Sequence, residues 1–165
     1  MRVHVLEREQ RLAGSPEELF GFFADAFNLE PITPPLLRFR VVTPPPIAMG
    51  ESTLIRYRLR VHGVPVSWLT QITAWEPPHR FVDEQLEGPY ALWHHTHTFS
   101  DDGCGGTVMR DVVRYRVGFG VFGGLANLAL VRRDVERIFD YRAARVPALL
   151  AAAAATASPP SARRR

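Results

Sequence analysis

Residues 51–75 read ESTLIRYRLRVHGVPVSWLTQITAW, two runs of alternating apolar and polar residues separated by His62 and Gly63. A period of two is typical of strands that bury one face, and a short connection containing Gly is typical of a tight hairpin. Such a turn places Tyr57 opposite Trp68, and opposed residues of an antiparallel pair point to the same face. The same register opposes Ile55 to Thr70 and Thr53 to Ile72.

Three arginines identify the outer face of this hairpin. Arg56, Arg58 and Arg60 alternate with Tyr57 along the first run. Burying unpaired charges is costly, so we expect these arginines to be exposed. The face that carries Tyr57 and Trp68 is therefore the inner one.

The period-two pattern extends in both directions and is broken at short intervals by Pro, Gly and Asp. Closely spaced strands of this kind predict a meandering antiparallel sheet. We expect an opening strand at 2–12, followed by strands at 37–43, 51–61, 64–75, 80–86, 90–100 and 107–117.

Two helices are predicted outside the meander. Ser15 as N-cap, Pro16 at the first helical position and two acidic residues after it begin a helix that later prolines should stop. Apolar residues at helical spacing predict a long C-terminal helix over about 125–150. We assign 1–150 to a single domain and 151–165 to a disordered tail of Ala, Pro and Arg.

Composition limits the classes of function. The chain has 165 residues, of which 46% are hydrophobic, and this fits one domain with a sizeable core. All 20 basic residues are Arg; three form 163–165, and the other 17 match the 17 acidic residues. A nucleic-acid partner is therefore not expected, since it needs a basic face on the folded part. Cys104 is the only cysteine, which excludes an intramolecular disulfide and a Cys-based zinc cluster.

Secretion and membrane insertion are not expected either. Charged residues at 7–9 precede any apolar run, so no signal peptide is predicted. The uncharged segment 117–131 contains several Gly and is shorter than the ~20 residues that span a bilayer. We predict a cytoplasmic protein without an integral membrane segment.

The later strands place an unusual number of polar residues on the inner face. Trp93, His95 and His97 alternate there, and His95 is expected about opposite Asp111. Each buried polar group without a partner costs about 1–3 kcal/mol, so these groups either pair with one another as a structural network or line a ligand cavity. The candidate ligand-binding residues are Tyr57, Trp68, Thr70, Phe81, Asp83, Gln85, Trp93, His95, His97, Met109, Asp111, Val113 and Tyr115.

Several short motifs together resemble the START-like, or SRPBCC, superfamily, which includes Bet v 1 allergens, lipid-transfer START domains and polyketide cyclases. They lie at 27–30 (FNLE), 32–35 (ITPP), 62–65 (HGVP), 81–85 (FVDEQ), 88–90 (GPY), 93–97 (WHHTH) and 138–142 (IFDYR). The nearer resemblance is to bacterial ligand-binding SRPBCC domain proteins, over about residues 3–148. It implies an α+β helix-grip fold, in which a curved antiparallel sheet of about seven strands wraps on the long C-terminal helix around an internal hydrophobic cavity. It implies no particular reaction, because the superfamily includes carriers as well as enzymes.

Three functions remain open at this point. The favoured one is binding or transport of a small hydrophobic molecule, lipid-like or polycyclic, with the polar residues orienting its polar end. The alternative is a polyketide cyclase or dehydratase-like enzyme in which His95, oriented by Asp111, acts as general base. Neither needs a metal or cofactor, and none is expected. The third is a divalent-metal site of His95 and His97, with Asp111 or Asp83 as third ligand.

A glycine-rich segment at 118–124 would lie at the mouth of such a cavity. Phe119 and Phe122 in this segment are candidates for a gate over the ligand or for a weak membrane contact. The oligomeric state is not predicted by the sequence.

Overall fold

A computed structural model of the chain describes residues 2–118 and 125–157. The α+β architecture is the expected helix-grip fold, with a long C-terminal helix against a curved seven-stranded antiparallel sheet. Its elements are β1 (His4–Ala13), α1 (Pro16–Ala24), β2 (Arg40–Val41), β3 (Leu54–Val61), β4 (Val64–Glu76), β5 (Arg80–Glu87), β6 (Tyr90–Asp101), β7 (Gly106–Val117) and α2 (Leu125–Ala157). The strand order is β1-β7-β6-β5-β4-β3-β2.

The β3–β4 hairpin has the predicted register, with Tyr57 opposite Trp68. Its turn residues, His62 and Gly63, have φ angles of 49° and 84°. Two consecutive residues with positive φ match the twist of the flanking strands, and Gly adopts such angles without a steric penalty. The register therefore follows directly from the position of the turn.

The arginines of β3 lie on the outer face as expected. Arg58 and Arg60 are exposed, and Arg56 is partly exposed. The Arg56 guanidinium lies 3.0 Å from the carboxylate of Glu87 in a surface ion pair. The inner face of the hairpin is thus left to apolar and aromatic side chains.

Two predicted strands are shorter than expected. The strand expected at 37–43 is only the two-residue β2, because Pro35–Leu37 forms a 3-10 turn that ends with Arg38 at a φ of 44°. The strand expected from residue 51 begins at Leu54, since Ser52 has a φ of 67°. A left-handed residue interrupts the extended backbone, and the ladder can begin only after it.

The pairing of β6 with β7 differs from the prediction by two residues. His97 lies opposite Asp111, the position expected for His95. The connecting turn is 102–106, in which the Asp102 carboxylate accepts hydrogen bonds of 2.7 and 2.9 Å from two backbone N–H groups. This side-chain-capped turn sets the register, and a shift of two residues keeps the predicted inner face unchanged.

Helix α1 begins where the sequence predicts. Ser15 caps it, with its hydroxyl accepting from the Glu18 N–H at 3.3 Å and its own N–H donating to the Glu18 carboxylate at 2.8 Å. Such a reciprocal cap satisfies two donors that the first helical turn leaves free. The helix then places Phe20 edge-on against the rings of Trp75, Phe81 and Phe99.

Helix α2 packs against the inner side of β1 and β7. Its buried side chains are Val131, Val135, Phe139 and Val146. The helix continues to Ala157, so 151–157 is helical where a tail was expected. The rest of that tail, 158–165, and the expected gate at Phe119 and Phe122 lie outside the described residues.

Within the described parts of the chain, no helix is both long and apolar enough to cross a bilayer. Although α2 has 33 residues, charged side chains recur along it.

Candidate ligand cavity and its polar cluster

A cavity of about 500 Å³ lies between the inner face of the sheet, the segment after α1 and the helix α2. This volume falls within the range of about 300–1,000 Å³ that is usual for small-molecule sites. Much of the wall is apolar and comes from distant parts of the sequence, including Leu29, Phe39, Met49, Ile55, Leu59, Ile72 and Ile138.

Three aromatic rings form a packed group on one wall of the cavity. Trp68 and Trp93 meet edge to face with their centroids 5.2 Å apart, and Tyr90 lies 4.9 Å from Trp93. The indole N–H of Trp68 donates to the hydroxyl of Thr70 at 3.0 Å. Because these rings are held by their neighbours, the wall offers a preorganised surface for a flat or extended apolar molecule.

Two histidines and two aspartates form a closed cluster on the same inner face. His95 Nε2 and His97 Nδ1 lie 3.0 and 2.9 Å from Asp111 Oδ1. The other ring nitrogens, His97 Nε2 and His95 Nδ1, lie 3.0 and 3.4 Å from Asp83 Oδ2. The imidazoles are thus held between the two carboxylates, with their ring centroids 3.7 Å apart.

The register of three neighbouring strands builds this cluster. Asp83 of β5 pairs with His95 of β6, and Asp111 of β7 pairs with His97 of β6. Since His95 and His97 are two residues apart on one strand, their side chains point to the same face. Each aspartate therefore reaches one histidine directly and the other diagonally.

The two histidines have opposite pKa shifts. Burial, together with the charge on His97, lowers the pKa of His95 and favours its neutral form. Burial also disfavours protonation of His97, but the nearby carboxylates of Asp111 and Asp83 outweigh it and raise the pKa of His97. His97 is thus the imidazole on which a positive charge is stabilised.

Both aspartates are stabilised as carboxylates. Burial by itself raises the pKa of Asp111, but its hydrogen bond with His95 and its close contact with His97 outweigh burial and hold that pKa far below its usual value. Burial likewise opposes ionisation of Asp83, and the charges of His95 and His97 outweigh it, so the pKa of Asp83 is also lowered. The cluster therefore contains two negative charges, of which that of Asp111 is buried and that of Asp83 is partly buried.

Arg142 of α2 supplies a positive charge beside these carboxylates. Its guanidinium lies 4.8 Å from the centroid of the Phe139 ring, and its buried Nε has no hydrogen-bond partner. Burial lowers the pKa of Arg142, and the charges of Asp111 and Asp83 partly offset that shift. The long helix thus closes the cavity with a charged residue as well as with apolar ones.

Most of the predicted site residues line the cavity together. They are Tyr57, Trp68, Thr70, Phe81, Asp83, Trp93, His95 and His97. The inner-face pattern of β3 to β6 was therefore sufficient to find a large part of the wall.

Five predicted site residues are placed elsewhere. Gln85 donates to the Tyr90 carbonyl at 2.7 Å and accepts from the Tyr90 N–H at 3.3 Å, so it closes the β5–β6 turn. Asp111 lies behind the histidines and, with Met109, lines a separate cavity of about 120 Å³. Val113 and Tyr115 are covered by α2 in a packed apolar cluster. The β7 side chains thus face the helix, because α2 packs against the β1 and β7 side of the sheet.

Sequence reasoning missed Arg142 and the cavity residues of the segment between α1 and β3. Helical spacing assigns Arg142 to the apolar face of α2. A charged residue on an apolar face could have identified Arg142 as a candidate site residue. Phe39 and Met49 lie in irregular backbone, where no periodicity indicates which side chains point inward.

These features define a helix-grip domain with an internal cavity and a buried polar cluster. The chain belongs to the polyketide cyclase/dehydrase and lipid transport family, whose model matches residues 3–151. No curated protein has a significantly similar sequence.

Solved structures share the fold. The Zhui aromatase/cyclase from Streptomyces sp. R1128 is 15% identical with a TM-score of 0.71, over 89% of this chain and 93% of that one. The protein TTHA0849 from Thermus thermophilus is 22% identical with a TM-score of 0.67, over 94% of this chain and 100% of that one. A START superfamily protein from Mycobacterium smegmatis is 16% identical with a TM-score of 0.61, over 88% of this chain and 99% of that one.

Proposed function

We propose that this protein binds and carries a small hydrophobic molecule, lipid-like or polycyclic, inside the cavity. The proposal rests on one observation: the cavity combines a volume of about 500 Å³ with a wall of aromatic and aliphatic side chains and one polar cluster. An apolar molecule gains roughly 25 cal/mol for each Å² of surface that it removes from water. The aromatic group supplies that gain, and the polar cluster orients one end of the molecule.

The position of the cluster indicates what kind of polar end the molecule has. Asp83, His95 and His97 line the cavity, and Arg142 reaches it from α2. These groups include hydrogen-bond donors and acceptors, so they favour a hydroxyl, carbonyl or carboxylate on an otherwise apolar molecule. Among these groups, His95 and His97 are only about 5% and 4% exposed, which places the polar contact deep in the cavity.

A second candidate function is a cyclase or dehydratase acting on a polyketide-like carbonyl compound. It rests on the contact of His95 Nε2 with Asp111 Oδ1 at 3.0 Å, together with the lowered pKa of His95. A neutral imidazole held by a carboxylate is suited to accept a proton from a substrate. We favour the carrier, because both ring nitrogens of each histidine already lie against a carboxylate, which leaves neither imidazole directed at a substrate proton.

The proposal is tested by native mass spectrometry of the protein purified from its own host. We expect a retained molecule at one per chain, which extraction then identifies. Anilinonaphthalene sulfonate, an apolar fluorescent probe, should bind the emptied protein, and the extracted molecule should displace it. A natively folded protein that retains nothing and binds no apolar probe would contradict the proposal. The cytoplasmic location remains a prediction from the sequence.

A further inference from the structure

We propose that His95 Nδ1, His97 Nε2 and Asp83 Oδ2 form a binding site for a divalent first-row transition metal at the polar end of the cavity. This goes beyond the proposed carrier function and favours the third possibility that the sequence left open, with Asp83 as the carboxylate ligand, although no metal was expected from the sequence. The three donor atoms lie within 4.8 Å of one another. Two imidazole nitrogens and one carboxylate oxygen are donors that Zn²⁺ and its neighbours prefer.

The distances between these donors fit a metal. Asp83 Oδ2 lies 3.0 Å from His97 Nε2 and 3.4 Å from His95 Nδ1. Ligands at about 2.0–2.2 Å from a zinc ion are separated from one another by roughly 3–3.5 Å. Both distances from Asp83 lie in this range, and the two imidazole nitrogens, within 4.8 Å of one another, must approach each other to share one ion.

Asp111 orients His95 for this role. His95 Nε2 is hydrogen-bonded to Asp111 Oδ1 at 3.0 Å, whereas His97 Nδ1 lies 2.9 Å from the same oxygen without hydrogen-bond geometry. Metal-bound histidines commonly donate their second N–H to a carboxylate, which fixes the ring and leaves the other nitrogen free for the ion. Asp111 therefore holds His95 with its free nitrogen toward Asp83, and a small rotation of the His97 ring would give it the same support.

The site also has the charge and access that a cation needs. Asp111 and Asp83 place two carboxylates, 11% and 19% exposed, beside the two imidazoles. Asp83, His95 and His97 line the large cavity, so an ion can enter through it. With three protein ligands, the remaining coordination positions face the cavity and are available to water or to an oxygen atom of the bound molecule.

The experiment is calorimetric titration of the chelator-treated full-length chain with Zn²⁺, together with the visible spectrum of a Co²⁺ titration. We expect one ion per chain, Co²⁺ absorption bands typical of nitrogen and oxygen ligands, and no competition from Mg²⁺, which prefers all-oxygen sites. His97→Gln and Asp83→Asn should each weaken Zn²⁺ binding at least a hundredfold. Asp111→Asn should weaken it by about 10–100-fold with the stoichiometry unchanged, as expected for a positioning residue.

His94→Gln is the matched control, because His94 is the neighbour of His95 on the outer face of β6, 3.8 Å from Glu84. Zn²⁺ affinity should be unchanged in this variant. Absence of binding to the folded protein, or loss in His94→Gln but not in His97→Gln, would overturn the proposal. If the Asp83, His97 and Asp111 variants do not fold, the site is tested in the native protein by NMR. Zn²⁺ should then shift the ring-proton signals of His95 and His97 and leave those of His94 unchanged. Apolar-probe binding is measured separately without metal, so failure here leaves the carrier test unaffected.

Discussion

The side-chain amide of Gln10 donates a hydrogen bond of 2.7 Å to the backbone carbonyl of Ala143. That carbonyl lies four residues before Pro147, which is inside α2 and has no N–H to offer it. Gln10 of β1 therefore replaces the missing helical hydrogen bond. This hydrogen bond connects the edge strand β1 to α2 at the residue where Pro147 interrupts the backbone hydrogen bonds of the helix.

Gln10→Met should destabilise the protein, because it leaves the Ala143 carbonyl without a partner in a partly buried position. We expect the free energy of unfolding to fall by about 1–2 kcal/mol, measured by urea denaturation. In the Pro147→Ala background the helix regains the missing N–H, so the same substitution should cost much less. An equal cost in both backgrounds of this double-mutant cycle would show that Gln10 acts independently of Pro147.

The parts of the fold that the sequence predicts well are those with a short, defined turn. The two-residue turn at His62 and Gly63 allows only one pairing register of β3 with β4, and Tyr57 lies opposite Trp68 as expected. Ser15 and Pro16 likewise gave α1 an unambiguous start. Local chemistry determines these features, so they can be inferred without knowledge of distant contacts.

The parts that the sequence could not predict depend on distant contacts or on a longer turn. His97 rather than His95 faces Asp111, because the Asp102 carboxylate organises a longer turn that periodicity does not define. Tyr115 was expected in the cavity wall but lies under α2, since the crossing position of a helix is not encoded in strand alternation. The inner face could be inferred, and the part of it covered by the helix could not.

Arg142→Met should be destabilising, because Asp83 and Asp111 then lose a nearby positive charge while the side-chain volume is nearly kept. Arg142 acts on the carboxylates through its charge and not through a direct ion pair, so the cost should be about 1–2 kcal/mol, below the 3–5 kcal/mol of breaking a direct buried pair. Arg145→Met, three residues further along α2 at an exposed position, is the control and should change stability by less than about 0.5 kcal/mol. Equal effects of the two substitutions in urea denaturation would show that Arg142 does not compensate the carboxylates.

Leu59→Trp should reduce the binding of an apolar probe, because Leu59 lines the cavity and a larger ring takes up part of its volume. We expect the Kd of anilinonaphthalene sulfonate to rise about tenfold, equivalent to about 1.4 kcal/mol. Leu54→Trp makes the same change on the same strand at an outward position that is 50% exposed, and it should leave the Kd unchanged. If both variants bind the probe like the native protein, the probe occupies another site.

His95→Gln distinguishes a carrier from a catalyst, because glutamine can keep a hydrogen bond to Asp111 or to the ligand but cannot act as a base near neutral pH. In a carrier, ligand affinity should fall by about 1 kcal/mol, or roughly fivefold, with the bound molecule recovered chemically unchanged. In a cyclase or dehydratase, turnover should fall by about a hundredfold or more while affinity stays similar. Both quantities are measured in chelator-treated protein, so that a bound metal ion contributes to neither, and His94→Gln on the outer face serves as control. We expect the carrier result. The protein would instead be an enzyme if the native protein and His94→Gln convert a polyketide-like carbonyl compound and His95→Gln binds this compound without converting it.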